Sequence, residues 1–119
     1  MKNENQLPLT PLSTGILLAL AAEELHGYAL MKAVEEQSGG VLTSGTGTLY
    51  AALTRLLEDG LIEVSEGEGG DQRRGKSYTI SEAGKDLLRA EASRLDAIVR
   101  RARDVNLGPD SELATDGRG

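Results

Sequence analysis

The stretch TGTLYAALTRLLEDGLIEV, residues 46–64, changes hydrophobic period part-way along, and that change decides the architecture. Leu49, Leu53, Leu56 and Leu57 recur at spacings of three and four, which places them on one side of an α-helix. Asp59-Gly60 then supplies a glycine stop, after which Ile62 and Val64 alternate with Glu63 and Ser65 as in a half-buried strand. If the leucines face a core, Thr46, Thr48, Ala51, Ala52 and Arg55 are left toward solvent.

Downstream, the loop GEGGDQRRG (67–75) leads to a second strand in which Tyr78 and Ile80 alternate with Ser77 and Thr79. Two short strands about a glycine-rich loop predict a β-hairpin. Ser81 is positioned to cap a long helix running from Glu82 to about Val105. Upstream, Thr10-Pro11 reads as an N-cap with proline at the first helical position, and Leu12, Ile16 and Leu20 continue a helix to about Leu25. His26-Gly27 breaks it. A second helix spans about 28–37, with Leu30, Met31 and Val34 inward, and stops at Ser38-Gly39-Gly40. Tyr28 is assigned to the core, and His26 to a structural role at the corner.

The predicted order is three helices, a hairpin and a long helix: a mainly α fold with a small β-hairpin, the winged helix-turn-helix plus a C-terminal dimerisation helix. The expected organisation is a flexible arm (1–8), a DNA-binding domain (9–80), a dimerisation helix (81–105) and a disordered tail (106–119).

Composition narrows the function. The 119 residues suffice for one modest core, built from aliphatic side chains because Phe and Trp are absent and only three Tyr occur. Without Cys and with His26 as the single histidine, thiolate metal sites and Ser–His or Cys–His nucleophiles have no residues to form from, so neither an enzyme nor a cofactor is expected. The longest apolar run, Ile16 to Ala22, is too short to span a bilayer, and the N-terminus lacks a secretory hydrophobic stretch; the expected location is the cytoplasm.

A net charge of −6 argues against nucleic acid, but phosphate binding depends on local charge. Acid is concentrated at Glu58, Asp59, Glu63, Glu66 and Glu68, whereas residues 71–78 carry Arg73, Arg74 and Lys76 against Asp71. Ser44, Thr46 and Thr48 cluster at a helix N-terminus, where hydroxyls and unpaired backbone N–H groups suit phosphate oxygens. The small residues Ala51 and Ala52 would let the helix lie deep in a major groove, and Arg55 is the one side chain there able to make a bidentate base contact. Tyr50, beside Leu49, suits a half-buried ring with its hydroxyl at a phosphate. The expected DNA contacts are therefore Ser44, Thr46, Gly47, Thr48, Tyr50, Arg55, Arg73, Arg74 and Lys76, with helix 46–58 in the major groove and the 66–76 wing near the minor groove of double-stranded DNA.

In the last helix, Leu88, Ala92, Leu95, Val99 and Ala102 form a heptad-like seam. A winged helix leaves such a helix little of its own domain to cover, so a homodimer is expected, with Leu12 and Ile16 of the first helix joining the interface. A small apolar effector, if one is used, would sit between the first and last helices. The alternative to a DNA-binding repressor is a winged-helix protein–protein adaptor, which needs neither a basic wing nor a small-residue helix face.

Three segments in this order resemble the PadR-like transcriptional regulators: Leu25-His26-Gly27-Tyr28-Ala29-Leu30; Gly47-Thr48-Leu49-Tyr50-Ala51-Ala52-Leu53 with Arg55-Leu56 and Asp59-Gly60-Leu61-Ile62; and Arg73-Arg74-Gly75-Lys76-Ser77-Tyr78-Thr79-Ile80 with Gly84. The resemblance implies a dimeric repressor of the short subgroup, in which a single C-terminal helix makes the dimer. It gives Thr46, Thr48, Tyr50, Arg73, Arg74 and Lys76 the family's DNA-contacting roles. Thr46 stands where relatives often carry proline. The tryptophans between which multidrug-binding members hold planar ligands are absent.

Overall fold

A computed structural model describes residues 7–43, 45–66 and 75–109. Its elements are α1 (Pro11–Ala22), β1 (Leu25–His26), α2 (Gly27–Gln37), α3 (Thr46–Glu58), β2 (Ile62–Glu66), β3 (Lys76–Ile80) and α4 (Glu82–Asp104). The chain forms two compact units that divide within α4, between Leu88 and Arg89. Ala83, Leu87 and Leu88 at the start of α4 pack with the core of the first unit.

That core is aliphatic. Ile16, Leu17 and Leu20 of α1, Leu30 and Val34 of α2, Leu49, Leu53 and Leu56 of α3, and Leu61, Ile62, Tyr78 and Leu87 are all buried. Leu7, assigned from sequence to a free arm, also packs against it. The α1 N-terminus is as read: the Thr10 hydroxyl accepts from the Ser13 N–H at 3.0 Å, and Pro11 occupies the first turn. Helices α1 and α2 approach closely at Gly15, where a Cβ would lie 3.2 Å from Val34 Cγ1, and the Gln37 amide donates to the Gly15 carbonyl at 2.6 Å.

The α1 helix ends three residues earlier than expected because Leu25 and His26 leave it to form a strand. They pair antiparallel with β3, Leu25 opposite Tyr78 and His26 opposite Ser77, so the hairpin becomes a three-stranded sheet in the order β1-β3-β2. The central position of β3 explains why Ser77, expected to face outward, is buried. It is satisfied by a hydroxyl chain. Ser77 Oγ donates to Glu24 Oε2, which leaves Ser65 Oγ as the donor to Ser77 Oγ at 2.9 Å. Val64, expected inward, is 41 % exposed, since β2 is an edge strand and the core reaches only its first residue, Ile62.

Helix α3 closes with a Schellman motif. Gly60 takes φ +75°, its N–H donates to the Leu57 carbonyl at 3.0 Å, and the Leu61 N–H donates to the Leu56 carbonyl at 2.9 Å. The start of α4 is tied to this corner. Ser81 Oγ accepts from the Gly84 N–H at 3.0 Å and donates to the Gly60 carbonyl at 2.7 Å, while the Ser81 N–H donates to the Leu61 carbonyl at 3.0 Å. Ser81 is thus the N-cap expected from sequence.

The second unit holds the remainder of α4. Its charges pair along the helix, as expected for a solvated face: Arg100 with Asp96 at 3.0 Å and Arg101 with Asp104 at 3.9 Å. Arg94 makes a two-pronged contact with buried Glu91, at 2.8 and 2.7 Å. Those hydrogen bonds hold the Arg94 guanidinium above its usual pKa.

Candidate nucleic-acid interface

Three elements of the first unit supply the candidate surface: α3, the start of β3 and the corner where β1 meets α2. Burying Leu49, Leu53 and Leu56 fixes the roll of α3. Gly47, Thr48, Ala51 and Arg55 are exposed in consequence, and Thr48, Ala51 and Arg55, spaced by three and four, form one stripe. Ala52, expected on the same face, is half-buried against the core. Thr46 is exposed as well, at the first position of the helix.

Capping is the ordinary role for hydroxyls at a helix start, and here they do not perform it. The N-cap is Gly45, and among the described residues no side chain caps α3. The Thr46 and Thr48 hydroxyls therefore stand beside backbone donors that the helix leaves open.

Tyr50 lies at the edge of this face and is 42 % exposed. Its hydroxyl reaches back to α2: a Cβ added at Gly27 would fall 2.0 Å from Tyr50 Oη. His26, next to Gly27, pairs with Ser77, next to Lys76, so the sheet brings the start of α2 and the base of the wing together. A cleft of about 350 Å³ results, lined by Tyr50, Leu53, Thr54, Leu57, Lys76 and Tyr78. Tyr50 and Tyr78 both line this cleft, and burial raises the Tyr78 phenol above its ordinary pKa, with Tyr50 adding to the effect. Lys76 and Arg55 are exposed, and neither makes an ion pair among the described residues.

Thr46, Gly47, Thr48, Tyr50, Arg55 and Lys76 are thus all on the surface of one unit. Ser44, Arg73 and Arg74 lie outside the described residues. Tyr28, assigned to the core, is 69 % exposed: Leu30 and Val34 set the buried face of α2, and Tyr28 falls opposite it. The Gly27–Tyr50 contact was missed altogether, since Gly27 read only as a helix breaker.

The expected dimer residues divide. Ile16 is completely buried in its own core and has no surface to offer a second subunit; it is removed from the interface. Leu12 and Leu88 are half-buried against that same core. Ala92 and Leu95 are exposed, whereas Val99 and Ala102 are half-buried. The exposed large side chains of the helix and its end are Leu95, Ile98 and Val105, at 40, 52 and 58 %. With Ala102 they form a row that keeps Leu95 and Ala102 of the expected seam and takes Ile98 and Val105 in place of Ala92 and Val99.

Among the described residues no three His, Asp or Glu side chains group as a metal site, and no helix is long and apolar enough to cross a membrane.

Residues 16–90 match the model of the transcriptional regulator PadR-like family. The transcriptional regulator YqjI of Escherichia coli is 33 % identical over 74 % of this chain, and an uncharacterized 37.1 kDa protein in a Streptomyces fradiae transposon is 42 % identical over 65 % of it. The chain spans 41 % and 21 % of the length of those two relatives. A transcriptional regulator from Clostridium thermocellum shares the fold, with a TM-score of 0.67 and 22 % identity over 78 % of this chain and 87 % of its own. Bacillus subtilis PadR, solved in complex with operator DNA, superposes with a TM-score of 0.59 and 28 % identity over 66 % of this chain and 45 % of its own. YqjI and the Clostridium thermocellum protein are transcriptional regulators, as is the family whose model the chain matches. The winged-helix architecture and the match over residues 16–90 together establish that this chain belongs to the PadR-like family of transcriptional regulators.

Proposed function

We propose that the chain is a DNA-binding repressor that acts as a homodimer on a palindromic operator. In this reading α3 enters the major groove and the wing lies against the neighbouring backbone or minor groove. The observation that carries it is the uncapped, exposed start of α3, with Thr46, Thr48, Ala51 and Arg55 at the surface and Lys76 at the wing base. Small hydroxyl and methyl side chains contact phosphates and thymine methyls and discriminate bases weakly, so half-site spacing and DNA shape supply much of the specificity. Dimerisation through the Leu95, Ile98, Ala102 and Val105 row would set that spacing, near one helical turn or a multiple of it. A small apolar effector that releases DNA belongs to the same reading; a thermal-shift screen with small apolar molecules tests it, and stabilisation is the expected result.

The wing is tested by Arg73→Ala/Arg74→Ala. Each lost phosphate contact reduces the salt slope by about 0.9, so the doubly substituted protein should bind the duplex upstream of its own gene at least about tenfold more weakly at moderate salt. Its sedimentation should not change. Unaltered affinity would remove the wing from the interface.

A further inference from the structure

Gly27 opens α2, and a Cβ there would meet three nearest atoms that all belong to one side chain: Tyr50 Oη at 2.0 Å, Cζ at 2.9 Å and Cε1 at 3.4 Å. Its backbone is not in the positive-φ region, so conformation does not demand glycine. Space does. The space is occupied by the far end of the one aromatic side chain of α3, which also walls the cleft beside Lys76.

We infer that Gly27 is a positioning residue for DNA binding: the missing side chain seats the Tyr50 hydroxyl against the start of α2 and so fixes the phenol at the DNA-facing edge of α3. This rests on the reading of Tyr50 as a DNA contact. The seat sets the phenol both along α3 and across the cleft. A tyrosine fixed in this way loses little rotamer freedom on binding, whereas a displaced ring must be reordered or lost as a contact. The obstructing atoms lie at the end of a flexible side chain rather than in backbone, so Gly27→Ala can be accommodated by swinging the ring out. Alanine is also the better helix former. The substitution therefore separates binding from stability.

The test is a double-substitution cycle on the full chain, comparing wild type, Gly27→Ala, Tyr50→Ala and Gly27→Ala/Tyr50→Ala. Each is titrated by fluorescence anisotropy with a labelled duplex from upstream of its own gene and with an unrelated duplex of equal length. Gly27→Ala is expected to melt within a few degrees of wild type and to bind about three- to tenfold more weakly, the size of one hydrogen-bonded contact. Tyr50→Ala should lose at least as much, and adding Gly27→Ala to it should cost nothing further. If Tyr50→Ala weakens binding while Gly27→Ala binds as wild type, the positioning role is overturned and the Tyr50 contact stands. Losses that add in the doubly substituted protein also overturn it, as does loss of the melting transition in Gly27→Ala. If Tyr50→Ala binds as tightly as wild type, the Tyr50 contact itself fails and the inference fails with it.

Discussion

Gly84→Ala should destabilise the protein by about 2–4 kcal/mol, a loss of order 10–20 °C in melting temperature for a domain of this size. A Cβ at Gly84 would lie 2.1 Å from the Leu61 carbonyl oxygen and 2.8 Å from Ile80 Cγ1. Unlike the ring above Gly27, the obstruction is backbone, and it cannot swing aside. That carbonyl already accepts the Ser81 N–H, and Ser81 Oγ donates to the neighbouring Gly60 carbonyl. Moving α4 away to admit a methyl group would stretch both bonds, each worth about 1 kcal/mol, and loosen Leu87 from the core. Better helix propensity returns less than about 1 kcal/mol. Gly47→Ala is the control. No described residue lies within 4 Å of the Cβ position there, so the same substitution in α3 should leave stability level or slightly raised. Urea denaturation followed by circular dichroism measures both. Equal stability of the two variants would refute the close approach at Leu61.

The second large effect is expected at Ile98→Glu. Ile98 is 52 % exposed between Leu95 and Ala102, and an apolar row of this kind on an otherwise charged helix needs a cover. A carboxylate at the centre of a helix–helix seam is costly to desolvate, so the proposed dimer should dissociate to monomers at micromolar concentration. Operator affinity should then fall about a hundredfold or more, because two half-sites no longer bind as one linked ligand. The first unit should stay folded, since among the described residues its core contains nothing beyond Leu88. Analytical ultracentrifugation reads the first effect and anisotropy the second. A variant that remains dimeric would place the interface elsewhere.

The elements with local signals were legible in the sequence. Leucine spacing gave α3, Asp59-Gly60 gave its stop, and the Ser81 cap and Thr10-Pro11 gave the starts of α4 and α1, because each depends on neighbours within about four residues. What was missed depends on partners far along the chain. Two residues cannot show a strand period, so β1 became visible only through its pairing with β3. Ser77 looked outward until Glu24 and β1 closed over it. Ile16 was placed at a subunit interface and Tyr28 in the core; the packing of α1 within its own domain buries the first, and the roll of α2 exposes the second. The surface positions of the candidate DNA residues on α3 followed directly from burying its leucines. The seat that Gly27 provides for Tyr50 did not, because it joins residues 23 positions apart.

An acidic chain that binds DNA, as proposed, must do so through a local face built from α3 and the wing. The direct measurement is the affinity of the full chain for the duplex upstream of its own gene, against an unrelated duplex, over a series of salt concentrations. The prediction is preferential binding with a log–log salt slope steeper than about −3, reduced by about 1.8 in Lys76→Ala through loss of one phosphate contact per protomer of the proposed dimer. Equal binding of both duplexes, a flat salt dependence, or a slope unaltered in Lys76→Ala would contradict it.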